Sequence, residues 1–180
     1  MKSSRVALCG MIGALSSAIM FFGGIFPFSY FVMPAIAGTV FIPIVIETGR
    51  RWALMTYTTV SLVSAIIVFD KFPVLIFIMF FGFYPILKSF IEGIKEIITV
   101  YAIKFALFNT VVFLCYYTVT SVIVVSEIAD ELAEYNRVLL MAFLVLANVA
   151  FLMYDMALTS IVSIYLYRFS GIVRRLMRLQ

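Results

Sequence analysis

The chain has 180 residues, of which 65% are hydrophobic and 12% charged, with a formal net charge of +4 and no histidine. Soluble domains are about half apolar, so this composition excludes a soluble globular protein and points to helices in lipid. The lack of histidine removes the commonest general base and metal ligand together with every Ser-His or Cys-His nucleophile.

A helix needs about 20 apolar residues to cross the hydrocarbon core, somewhat fewer when neighbours shield it. On that basis the sequence predicts six spans, at 6–26, 31–46, 52–69, 73–87, 101–125 and 138–167. The first follows Lys2 and Arg5 directly and is read as a retained helix, since 23–28 (Gly-Gly-Ile-Phe-Pro-Phe) offers no small-x-small cleavage pattern. It carries Gly10, Ala14 and Ala18 at four-residue spacing, widened by Ala7, Gly13 and Ser17. Small residues at this spacing let two helix backbones approach closely, either within the bundle or against another protein. The connection after it is aromatic, running Phe26, Pro27, Phe28, Ser29, Tyr30 and Phe31. The second and fourth spans are short and interrupted by Pro34, Pro43, Pro73 and Pro85.

Between the fourth and fifth spans, Glu92, Lys95, Glu96 and Thr99 interleave with Phe90, Ile91, Ile94, Ile97 and Ile98. That pattern predicts a short amphipathic helix over 92–104 on the inner surface. The fifth span places Tyr116, Tyr117, Thr118, Thr120 and Ser121 in its outer half, and Ser126 to Arg137 suggests a short helix over the outer mouth. In the sixth, Asn148, Asp155 and Thr159 follow at steps of seven and four and share one face, continued by Ser163. A carboxylate at bilayer depth must face the bundle interior, be protonated or find a donor such as Asn109, Tyr84 or Lys104. Asp155 therefore serves either an interhelical link or a substrate or ion contact. Aromatic rings, hydroxyls and amides near an outer cavity suit a small, flat, partly apolar ligand. The candidate contacts are Asn148, Asp155, Tyr116, Tyr117, Tyr84 and Asn109. Asn148 lies shallower from the outer end than Asp155 and, as a neutral amide, costs less to hold in an apolar pocket, so it is the favoured direct contact.

Placing the N-terminus inside collects eleven basic residues on the cytoplasmic side, Lys2, Arg5, Arg50, Arg51, Lys88, Lys95, Lys104, Arg168, Arg174, Arg175 and Arg178, against Lys71 and Arg137 outside. This bias orients the chain with both termini cytoplasmic, and it accounts for the surplus positive charge without nucleic acid. Cys9 and Cys115 fall in different spans at different depths and read as thiols. No metal cluster, paired intramembrane carboxylates or Gly-x-x-x-x-Gly-Lys-Ser/Thr phosphate loop is present, so no catalytic residue and no cofactor is assigned. The expected fold is all-α, a polytopic membrane protein forming a compact bundle of six transmembrane helices in one domain over 1–180.

About 180 residues in six spans, cytoplasmic termini, a short basic N-terminus and the strip Gly10-x-x-x-Ala14-x-x-x-Ala18 resemble the substrate-binding S components of energy-coupling factor (ECF) transporters, which import vitamins and other micronutrients in prokaryotes. The resemblance implies a non-catalytic subunit of the cell membrane. Its partners would be a micronutrient, a transmembrane T subunit docked on Gly10, Ala14 and Ala18, and separate ATPase subunits. Substrate would be captured from outside, in a pocket closed by the connection after the first helix and lined by the last three helices. Reorientation of the bundle would then release it inward. The chain is also similar to membrane subunits of the rod-shape-determining family, which would make it a scaffold without a transported substrate.

Overall fold

Four prolines decide where the helices of the first half begin. Proline lacks an N–H and clashes with the preceding turn inside a helix, but in the first turn the N–H has no intrahelical partner to lose. In the computed structural model, which describes residues 2–24, 30–121, 137–169, 171 and 173, Pro34, Pro43, Pro73 and Pro85 each lie within the first three residues of a helix. The elements are α1 (Lys2–Gly23), α2 (Val32–Thr39), α3 (Ile42–Glu47), α4 (Arg50–Ile67), α5 (Lys71–Ile76), a π-helical turn (Phe77–Phe81) and α6 (Tyr84–Ile91). They continue with α7 (Ile97–Ser121), α8 (Arg137–Ile164) and a second π-helical turn (Tyr165–Phe169). Among the described residues the chain is helical, with no strand.

Six helical stretches thus stand where the hydrophobic pattern places six spans, and four of them are long and apolar enough to cross a membrane: Ser3–Gly23, Lys71–Ile91, Ile97–Thr118 and Met141–Phe169. The second stretch is divided at Val40 and Phe41 into α2 and α3, and the fourth is longer than 73–87 because Pro73 opens it rather than interrupting it. The amphipathic helix expected over 92–104 is not formed. Glu92 to Glu96 is turn and irregular chain, and α7 runs unbroken from Ile97. Gly93 ends the preceding helix, and the Glu96 carbonyl accepts from the Val100 amide while its carboxylate accepts from the Thr99 hydroxyl at 2.9 Å. A carboxylate at that position also complements the positive end of the helix dipole. The helix expected over 126–137 lies outside the described residues apart from Arg137.

The structure divides into two compact units, one comprising Met1–Gly93 with Leu158–Gln180 and the other Ile94–Ala157. The first is cored by Ile12, Met20, Ala37, Phe41, Ile44, Ala53, Val60, Val68, Val74, Phe77 and Ile86. α1 meets α2 and α4 along one face. The buried Ser16 hydroxyl donates to the Ala37 carbonyl at 3.1 Å, and Gly13 lies against Thr56 and Val60. Gly38 brings α2 onto the first π-helical turn so closely that a Cβ there would collide with the Phe81 carbonyl. Inside that turn the Tyr57 hydroxyl donates to the Ile78 carbonyl at 2.6 Å. A sharp reversal at Gly49, with φ +94°, leads into α4, where Arg50 stacks 3.9 Å over Phe90 and donates to the Ser89 carbonyl at 2.7 Å. At the far end of the unit Asp70 caps α5 by accepting from the Phe72 amide. The same carboxylate accepts from the Tyr30 hydroxyl, and this bond, with the carboxylate's charge, holds the phenol above its usual range.

α4 is long enough to cross but rich in hydroxyls, and its three threonines are bonded within the helix. Thr56, Thr58 and Thr59 donate to the carbonyls of Trp52, Leu54 and Met55, each four residues back. Such bonds satisfy a hydroxyl without water. The other unit, α7 with most of α8, uses the same device at Thr110 and Thr118.

Candidate functional site

The second unit is held by a polar ladder between α7 and α8. Their antiparallel course sets Lys104 opposite Asp155 and Asn109 opposite Asn148, with phenylalanines between. The Lys104 ammonium donates to Asp155 Oδ2 at 2.7 Å, and the two residues are only 4% and 5% exposed. Asn109 and Asn148 exchange amide bonds, Asn109 Nδ2 to Asn148 Oδ1 at 3.0 Å and Asn148 Nδ2 to Asn109 Oδ1 at 3.2 Å. Each amide spends its remaining N–H on its own helix, at the Phe105 and Leu144 carbonyls respectively. Both donors of each amide are therefore engaged. Between the two rungs Phe108 stacks on Phe151 at 4.6 Å with planes 7° apart, and Phe105 meets Phe151 edge-on at 5.9 Å.

This arrangement accounts for how two charges sit in helices so apolar. An isolated Lys or Asp at the centre of a helix in lipid costs about 2.5–3.5 kcal/mol on insertion scales. Paired at 2.7 Å, they form a net-neutral unit. Lys104 does not extend its stem toward an interface, as lysines near helix ends do, because its ammonium is buried beside Asp155.

Of the residues assigned from sequence, the structure brings Asn109, Asn148 and Asp155 together in this seam. Tyr116 and Tyr117 lie on α7 and are exposed. Tyr84 is fully buried in the first unit, stacked on Phe80 at 4.9 Å. Gly10, Ala14 and Ala18 form an exposed strip on α1, and a Cβ at Gly10 would meet nothing within 4 Å. Phe105, Phe108 and Phe151 were not singled out by sequence reasoning. Their signal was positional, since Lys104 and Phe108 lie four residues apart and Phe151 falls between Asn148 and Asp155 at helical spacing.

No known protein family, curated protein or solved structure matches this chain. The functional reading therefore rests on the residues alone. Among the described residues no group of three or more His, Cys, Asp or Glu could hold a metal ion, and Cys9 and Cys115 are thiols.

Proposed function

We propose that this protein is the membrane-embedded, non-catalytic substrate-binding subunit of an importer of the ECF type, taking a vitamin or other micronutrient and working with a transmembrane T subunit and ATPase subunits. The observation that carries the reading is how α1 divides its two faces. Ile12, Gly13, Ser16 and Met20 pack inward, while the strip Gly10, Ala14 and Ala18 is left exposed. A small-residue strip left exposed among the described residues suits a second helix approaching from another subunit.

The test compares adjacent positions. Ala14→Leu adds bulk to the exposed strip and should leave folding and ligand binding by the isolated subunit intact while uptake by the assembled importer falls at least tenfold. Gly13→Leu pushes into Thr56 and Val60 and should instead lower folded yield. Normal uptake by the Ala14→Leu variant would remove the basis for the docking assignment.

In this reading the chain crosses the cell membrane of a prokaryote six times with both termini cytoplasmic. α2 with α3, and α4, supply the two crossings beyond the four long apolar helices. The back-bonded threonines of α4 support that count, because hydropathy scores them as polar although they ask nothing of the lipid. In a chain whose own two cysteines have been replaced, a cysteine introduced at the exposed Phe69 should react with an impermeant reagent applied outside. One at the exposed Lys95, across the Lys71–Ile91 helix, should not. The reverse pattern would invert the topology.

A scaffold of the kind found in the rod-shape-determining family is favoured by one observation, that Asn148 and Asp155 are already hydrogen-bonded to side chains of the neighbouring helix. Mass spectrometry of small molecules extracted from the purified chain separates the readings, since only the importer subunit should carry one.

A further inference from the structure

We infer that the Lys104–Asp155 pair is the anion subsite of the transported ligand, which is a small flat carboxylic acid; this rests on the importer reading above. A buried salt bridge is a poor device for stability alone, because well-packed apolar residues of similar volume do as well or better. Nor is the pair needed for register. The reciprocal Asn109–Asn148 bonds and the Phe108–Phe151 stack already fix α7 against α8 within two turns of it. What the pair adds is a buried ammonium, already holding a carboxylate at 2.7 Å. A ligand carboxylate is the group that can take that place without changing the geometry at Lys104.

The other groups of the seam define the rest of the ligand. Along α7, Lys104 and Asn109 are roughly 7 Å apart at 1.5 Å per residue, the scale of a single substituted ring. An aromatic or heteroaromatic face would lie against Phe105, Phe108 or Phe151, and a polar edge would meet the amides of Asn109 and Asn148, each of which has both a donor and an acceptor. In the present structure these groups satisfy one another. Binding is therefore an exchange of partners: the ligand enters as its neutral acid, its proton passes to the Asp155 carboxylate, and its carboxylate replaces Asp155 on Lys104. The seam holds the same net charge before and after.

Asp155→Asn imitates the displaced, uncharged Asp155, and Lys104→Gln/Asp155→Asn additionally removes the cation while leaving polar side chains of similar size at both positions. The full chain and both variants are purified, checked to be folded, and their bound small molecules extracted and identified by mass spectrometry. The expected result is a monocarboxylic acid bound to the wild type, retained by Asp155→Asn and reduced at least tenfold in the double variant. A neutral or cationic molecule, or equal retention by the double variant, overturns the subsite and leaves the importer reading standing. No small molecule from the wild type overturns both. Should the double variant not fold, Lys104→Met/Asp155→Leu, which leaves an apolar seam, carries the same comparison, and failure of both to fold would show the pair to be structural and overturn the subsite.

Discussion

Replacing Asp155 with leucine should cost the folded state about 3–5 kcal/mol, the usual penalty for leaving one member of a buried ion pair without its partner. Lys104 is 4% exposed, and its buried ammonium would lose the carboxylate it holds at 2.7 Å. Lys104→Met should do comparable harm by stranding Asp155. Lys104→Met/Asp155→Leu should recover to within about 1–2 kcal/mol of the wild type, because both charges are gone and the helices remain joined by the asparagine pair. Thermal midpoints of the four proteins in the same detergent complete the cycle. If each single variant unfolds at the wild-type midpoint, the two charges are not coupled in solution.

The second large effect is expected at Gly38. Its alanine variant places a methyl group against the Phe81 carbonyl, a backbone group that cannot swing aside, so α2 must lift from the π-helical turn. Overpacking a close backbone contact should cost about 3 kcal/mol or more. Gly10→Ala is the control on an exposed helix face. Nothing lies within 4 Å of the new methyl, and alanine's better helix propensity should make the change neutral or favourable by up to about 1 kcal/mol. Similar midpoints for the two variants would show that α2 does not lie on the turn as described.

The helical stretches were legible because their apolar runs are long and the chain offers no competing strand pattern. What the pattern could not give was the interior of the second and fourth stretches. There Pro34, Pro43, Pro73 and Pro85 look like interruptions until each is seen to open a helix, and nothing in the string Phe77–Phe81 marks a π-helical turn. The stretch 92–104 misled in the other direction, since its alternation of charged and apolar residues is present even though Glu92 to Glu96 is turn and irregular chain and the helix begins at Ile97. In the seam, the sequence shows that Asp155 needs a partner and offers Lys104 as one of several donors. Which donor it finds depends on the offset between α7 and α8, and that offset is a property of two helices together. The same holds for Asn109, which taken alone is an amide in an apolar helix and becomes half of a reciprocal bond only opposite Asn148.

The two rungs also constrain how this sequence can diverge. A change at Lys104 alone strands a charge and a change at Asn109 alone orphans an amide, so relatives should alter 104 together with 155 and 109 together with 148. The pairs need not move in step with each other. If the pair is the acid subsite proposed above, a lineage that keeps both asparagines but exchanges Lys104 and Asp155 for apolar residues would keep α7 joined to α8 and lose the acid, and the residue types at these four positions would then sort related sequences by ligand.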